Sequence, residues 1–319
     1  MKTIIINSND ANQRLDKFIT KTFPKLHKSA LYKAIRTKNI KLNGRRCDIS
    51  TRLSEGDELK IFINDELLGA QKKEKPHTFK KGASLNLRDI IYEDENIILI
   101  NKKPGVLVHS DKNNQEDTLA DRLKNYLYRI KEYDPEAENS FVPALCNRLD
   151  RNTAGIVIGA KNAASLREIN KKIKENSIVK KYLCLLACAP PAEKATLVAY
   201  HSKDNKTNTV TISGKETEGS KQIITKYRII DKNYKNAVLA EVELVTGRTH
   251  QIRAHMAHIG CPIIGDVKYG NKSVNEKYKL PYQALCAYRL VFSVTNEKNL
   301  LSYIEGKEFE NRDVWFLTD

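Results

Sequence analysis

The stretch Cys146-Asn147-Arg148-Leu149-Asp150-Arg151-Asn152-Thr153-Ala154-Gly155 sets one carboxylate between two guanidinium groups, ahead of a turn rich in small and polar residues. A nearby opposite charge favours the ionised form of a carboxyl group. Asp150 could therefore act as a nucleophile or as an electrostatic anchor, whereas the same residues taken alone read as a solvated charge cluster on a loop. A second concentration of reactive side chains runs Thr246-Gly247-Arg248-Thr249-His250-Gln251-Ile252-Arg253-Ala254-His255, followed by Gly260-Cys261-Pro262-Ile263-Ile264-Gly265-Asp266. His250, His255 and His258 invite a metal reading, but at about 100° per helical residue the first two lie roughly 140° apart. No metal site is expected.

The elements that must carry these groups follow from periodicity. Ile156-Val157-Ile158 continues the first stretch as a buried strand. Leu166, Ile169 and Ile173 give a helix over 162–176 with Lys171, Lys172 and Lys174 outward. Lys180-Lys181-Tyr182-Leu183-Cys184-Leu185-Leu186 reads as a strand, with Tyr182 a core aromatic whose hydroxyl reaches the rim. Residues 90–100 give two strands around an acidic turn, and Asp117-Thr118-Leu119 opens an amphipathic helix. Hairpins are expected between Thr196 and Ile230, a longer strand over 237–245, and a late strand over 285–292. Strands that outnumber helices and are joined mainly by hairpins predict an α+β class with a mixed, mainly antiparallel sheet.

Composition bounds the partners. The 319 residues carry 55 Lys and Arg against 39 Asp and Glu, a net charge of +16, which favours a polyanion such as nucleic acid. No apolar run approaches the ~18 residues of a membrane span, and Met1-Lys2-Thr3-Ile4-Ile5-Ile6 is too short for a signal segment. The six cysteines show no C-x-x-C pair and read as reduced thiols of a cytoplasmic, monomeric protein.

Between residues 13 and 46, eleven Lys or Arg stand against the single acid Asp16. Two short helices are expected there, the second capped by Ser29, then an Asn43-Gly44 hairpin and a closing strand over 56–63. Lys72, Lys73, Lys75, Lys80 and Lys81 around Pro76 and Gly82 read as a self-repelling linker. The expected organisation is a small basic domain over 1–66, a linker over 67–85 and a large domain over 86–319.

The decamer around Asp150 resembles the catalytic motif of the RluA-type pseudouridine synthases, with Asn147 where that family usually has His and Ala154 where it has Ser or Gly. Asn101-Lys102-Lys103-Pro104-Gly105 through His109 resembles the segment that precedes this motif, and the run from Thr246 to Asp266 is similar to the family's second signature. Together these cover roughly residues 86–300. Residues 12–64 resemble an S-four-type RNA-binding domain.

The resemblance implies an isomerase that converts uridine to pseudouridine in structured RNA, most of all large-subunit ribosomal RNA, with no metal or other cofactor. It implies that Asp150 attacks the sugar of a flipped-out uridine, that Arg248 pairs with Asp150, and that Tyr182 is the base. Arg148 would enter the vacated stack. Asn147 and Arg151 would lie against RNA, with Lys28, Lys33, Arg36 and Arg45 as contacts on the small domain. Replacing His by Asn147 should weaken any contact made through an imidazole. A catalytically silent RNA-binding or assembly factor on the same fold and a hydrolase releasing free uracil are the competing readings.

Overall fold

The computed structural model describes residues 1–69, 84–110, 117–204, 207 and 209–317. The linker lysines lie outside the described residues. Two compact units emerge: one of Met1–Ser84, Asp121–Ala144 and Lys161–Ala164, the other of Leu85–Ala120, Leu145–Ala160 and Ser165–Asp319.

The smaller unit contains β1 (Lys2–Ile5), α1 (Leu15–Thr22), α2 (Lys28–Arg36), β2 (Ile40–Leu42), β3 (Arg45–Arg46), β4 (Glu58–Ile61) and α3 (Asp65–Leu68). Helix α1 buries Leu15, Phe18 and Ile19, and α2 buries Leu31, Ala34 and Ile35, at the spacing that puts apolar groups on one face. His27 precedes α2, so Ser29, expected as its cap, falls inside the first turn. Asn43 and Gly44 both have positive φ, as a tight two-residue hairpin requires. Strand β1, not anticipated from the sequence, pairs with β4 and completes a sheet ordered β1-β4-β2-β3. Leu68 belongs to the same core, and a left-handed Gly69 ends α3, so the packed region extends two residues past the expected edge at 66.

The larger unit comprises β5 (Ile90–Glu93), β6 (Ile97–Lys102), β7 (Ala144–Leu145), β8 (Ala154–Ala160), α5 (Ala163–Lys174), β9 (Ile178–Leu186), β10 (Lys194–Asp204), β11 (Thr209–Ser213), β12 (Lys221–Tyr234), β13 (Ala237–Leu244), α6 (Gln251–His258), α7 (Lys272–Tyr278), β14 (Leu285–Phe292) and β15 (Glu308–Glu310), while α4 (Leu119–Arg129), between β6 and β7 in the chain, belongs from Asp121 onward to the smaller unit. The larger unit's sheet of eleven described strands runs β11-β10-β12-β13-β9-β14-β8-β6-β5, with β15 joined to β14 and β7 to β8. Along the described strands from β11 to β5, and between β14 and β15, neighbours are antiparallel except β14 with β8, which is parallel. The α+β expectation therefore holds. Ile97, Leu99, Ile156 and Ile158 pack with Ile169 of α5 and with Leu290 and Phe292 into one core beneath the strands.

The parallel contact depends on Gly155, whose φ is +116°. A Cβ there would stand 2.2 Å from the Ala287 carbonyl oxygen and 2.5 Å from its nitrogen, so only glycine lets β8 approach β14. Gly155→Ala is expected to lower stability by about 1–3 kcal/mol through backbone displacement. Urea unfolding, followed alongside turnover, checks this: an unchanged midpoint would mean the two strands separate without cost.

Candidate active site

Asp150 sits on the loop between β7 and β8, one quarter exposed. The loop is fastened along its length. Thr153 N–H donates to the Asp150 carbonyl at 3.0 Å, and Gln283 Nε2 donates to Thr153 Oγ1 at 3.1 Å. Asn147 Oδ1 accepts from Ile158 N–H at 2.8 Å, while its Nδ2 donates to the Ile156 carbonyl at 3.3 Å. The Asn147 amide thus closes on the backbone of β8, although the residue also lines the cavity beside Asp150. Asn147→Ala would leave the Ile158 N–H short of an acceptor, at a cost of about 1–3 kcal/mol. Denaturant unfolding with RNA affinity measured in parallel tests this; a loss of affinity at unchanged stability would favour the RNA-contact reading instead.

Lys102, at the end of β6, is 1% exposed and braces the same loop. Its ammonium donates to the carbonyls of Arg151 (2.8 Å), Val106 (2.9 Å) and Lys103 (3.0 Å). Burial pushes its pKa down to about 7, opposed by the negative charge of Asp150. Arg151 adds a bond from Nε to the Gly105 carbonyl at 3.1 Å, so this exposed guanidinium, expected to face RNA, is engaged at least in part with the segment before the motif.

The cation on Asp150 is Arg253. Its Nη1 donates to Asp150 Oδ2 at 2.8 Å, while Nε and Nη2 grip Asp266 Oδ2 and Oδ1 at 2.7 and 2.9 Å. The guanidinium also lies over the Tyr269 ring, 5.3 Å from its centroid. Burial disfavours the charge, but the hydrogen bonds and charges of Asp266 and Asp150 outweigh it, and the Arg253 pKa is raised. Asp266 is held below the usual carboxylate range, against its own burial, by Arg253 and by the N–H groups of Lys268 and Tyr269. The expectation that Arg248 makes this pair is corrected. Arg248 lies at the exposed tip of the loop between β13 and α6, where its own N–H donates to Gln251 Oε1 at 3.1 Å. Gln251 in turn binds the Ile224 carbonyl and Thr225, which fixes the loop to β12.

His250 enters α6 with a left-handed backbone, φ 53°. Its Nδ1 lies 2.9 Å from the Tyr269 hydroxyl, whose oxygen already accepts from Val210 N–H at 3.0 Å. With the phenol proton directed at Nδ1, a neutral imidazole would carry its own proton on Nε2, 3.9 Å from Asp150 Oδ2. Burial lowers the His250 pKa and favours the neutral ring, against the opposing charge of Asp150.

Tyr182 of β9 is 6% exposed, and among the described residues its hydroxyl has no hydrogen-bond partner. Burial, with the charge of Asp150, raises its pKa, so the phenol keeps its proton at neutral pH. Asp150, Tyr182, Lys180, Arg148, Arg248 and Arg253 line one cavity of about 300 Å³, walled on the apolar side by Leu244, Ile252 and Leu285. That lies at the lower end of small-molecule sites. Asp150 Oδ1 carries no protein hydrogen bond among the described residues, so one oxygen is fixed by Arg253 and the other is open to a ligand. On the smaller unit, Lys28, Lys33, Arg36 and Arg45 are all exposed, the first three on α2.

The sequence reading names Asn147, Arg148, Asp150, Tyr182 and Arg248, all of which line the cavity, and gives no task to the supporting set of Lys102, His250, Arg253 and Asp266. The missed pair had a signal: Arg253 and Asp266 are oppositely charged residues in the second signature's two halves, with Arg248 the other arginine of the first.

Comparison with known proteins places these features in a wider context. Residues 96–258 match the model of the RNA pseudouridylate synthase family, and residues 13–59 match the S4 domain. An uncharacterized RNA pseudouridine synthase of Mycoplasma genitalium is 34% identical, over 98% of this chain and 96% of the relative. A ribosomal large subunit pseudouridine synthase C of Rickettsia felis is 31% identical, over 99% and 98% of the two chains. Among solved structures, human RNA pseudouridylate synthase domain containing 1 superposes with a TM-score of 0.54 at 25% identity, covering 69% of this chain and 83% of that one.

Proposed function

The chain belongs to the RNA pseudouridylate synthase family, and we propose that it isomerises uridines of large-subunit ribosomal RNA by attack of Asp150 on the sugar of a flipped-out nucleotide. One observation carries the mechanism: a single carboxylate, with one oxygen fixed by Arg253 and the other without a hydrogen bond among the described residues, lines a nucleoside-sized cavity that Tyr182 also lines.

The isomerisation breaks the bond from C1′ to N1, turns the uracil and rejoins it through C5. As the base departs, C1′ becomes electron-poor, and a positioned carboxylate can add to it or stabilise it, as in retaining glycosidases. Arg253 orients that carboxylate, and Asp266 keeps Arg253 from swinging into the cavity. The Tyr182 phenol, protonated at rest, can receive only a proton that bond formation at C5 has already acidified, or one at C2′ if a glycal forms. Neutral His250, in the tautomer with its proton on Nε2, can donate to a ribose hydroxyl or a uracil carbonyl. A stacked base cannot reach such a cavity, so the uridine must be everted at a cost of a few kcal/mol. Arg148, exposed beside Asp150, suits the vacated stack because a guanidinium plane packs on bases.

The ribosomal assignment draws on the relatives named above, and large-subunit RNA transcripts labelled with tritium at C5 of uridine test it. Expected is release of tritium with pseudouridine appearing at discrete positions and no free uracil. Free uracil would mean hydrolysis, and release from transfer RNA alone would overturn the substrate assignment. Removing Lys28, Lys33, Arg36 and Arg45 together by substitution to Ala should weaken RNA binding and reduce the log–log salt slope by roughly one unit for each phosphate no longer neutralised. The single-turnover rate of bound RNA should stay within a small factor, and an unchanged slope would take these four residues out of the binding account.

A further inference from the structure

Of the six cysteines, Cys188 alone is exposed, and its sulfur lies 3.1 Å from that of Cys261, which is 3% exposed. Their separation of 73 residues gives no motif in the sequence. The backbone brings them together. An antiparallel bridge joins Leu186 to Ile263, and Ala187 N–H donates to the Pro262 carbonyl at 2.9 Å. Continuing that register by one residue sets Cys188 directly opposite Cys261 in a non-hydrogen-bonded pair, where Cα atoms stand about 4.5 Å apart and side chains approach most closely. That separation falls within the range a disulfide spans.

We propose that Cys188 and Cys261 are a peroxide-responsive modification site, with Cys188 the attacking sulfur and Cys261 the resolving one. The Cys188 thiolate attacks the terminal oxygen of a hydroperoxide, forming an S–O bond as the O–O bond breaks, which gives Cys188 sulfenic acid and releases the alkoxide, or hydroxide from hydrogen peroxide, to take up a proton as alcohol or water. Cys261 then attacks the sulfenic sulfur, forming the disulfide and releasing one water. Two electrons pass from the sulfurs to the peroxide, and each thiol gives up its hydrogen. The order of events follows from access and acidity. Solvent reaches Cys188, whereas burial, with its neighbour Cys188, pushes the Cys261 thiol up to about 12, which disqualifies it as first nucleophile. A sulfenic acid with a thiol already in contact closes to a reversible disulfide before a second peroxide can carry it to the irreversible sulfinic stage. Such a link would tie the end of β9, the strand of Tyr182, to the segment leading into Asp266.

The test uses the reduced full-length protein, one equivalent of hydrogen peroxide, alkylation of remaining thiols and peptide mass mapping without reductant. Expected is loss of two thiols out of six, a Cys188–Cys261 linked peptide, and full recovery with dithiothreitol. Cys188→Ser should keep its five remaining thiols at the same dose, and Cys261→Ser should accumulate sulfenic acid at Cys188, trapped by dimedone. The proposal is overturned if wild-type Cys188 is recovered as sulfinic acid, as an intermolecular disulfide, or unreacted.

Discussion

Arg253→Lys is expected to cut the single-turnover rate by roughly 10²-fold, because misplacing a reacting group by about an ångström costs that much, with RNA affinity nearly unchanged. The guanidinium makes three bonds in two directions, at 2.8 Å to Asp150 and at 2.7 and 2.9 Å to Asp266. An ammonium keeps the charge but is a single point without the planar fork. It would stay with the more deeply buried Asp266 and leave Asp150 Oδ2 unsupported. Arg253→Met removes the charge as well and strands Asp266, so a stability loss of about 3–5 kcal/mol should accompany the rate loss. The lysine variant separates the two effects. Arg248→Ala, at the exposed loop tip, should instead act mainly on RNA binding. Rapid-quench kinetics beside filter binding distinguish these cases: a severe rate loss for Arg248→Ala with Arg253→Lys unaffected would return the anchoring role to Arg248.

The parts of the fold legible in the sequence were those set by local periodicity. Helix α5, strands β9, β13 and β14, and the Asn43-Gly44 hairpin all fall where alternation, i,i+3 spacing or turn chemistry put them. Strand β1 was missed because only four residues pair with a partner far along the chain. At the site, Asp150 and Tyr182 could be read from motifs because each stands alone in its segment. The anchor could not be read so directly. Two arginines, Arg248 and Arg253, occupy one signature, and choosing between them depends on where α6 begins. His250 takes a left-handed φ and α6 starts at Gln251, which leaves Arg248 on the loop and places Arg253 on the helix, 2.8 Å from the carboxylate. Lys102 falls within a motif whose spacing shows no task for it, since three backbone carbonyls converging on one ammonium leave no trace in residue spacing. Asn147 lines the cavity but has a second task that spacing does not show. Its departure from the usual His suggested an altered RNA contact, yet the amide closes the backbone of β8.

The second large effect concerns Asp150 itself. Asparagine is nearly isosteric and can still accept the Arg253 hydrogen bond through its carbonyl oxygen, so the loop and the cavity should persist. What it lacks is an anionic oxygen to meet an electron-poor C1′. The most direct measurement is tritium release from C5-labelled RNA under single-turnover conditions, wild type against Asp150→Asn, with RNA affinity determined on the same preparations. The predicted result is a fall of roughly 10⁴-fold or more, comparable to removing a group that acts directly on the reacting atoms, at an affinity within a few-fold of wild type. Release by Asp150→Asn at a rate near that of the wild type would contradict the claim that this carboxylate carries the reaction.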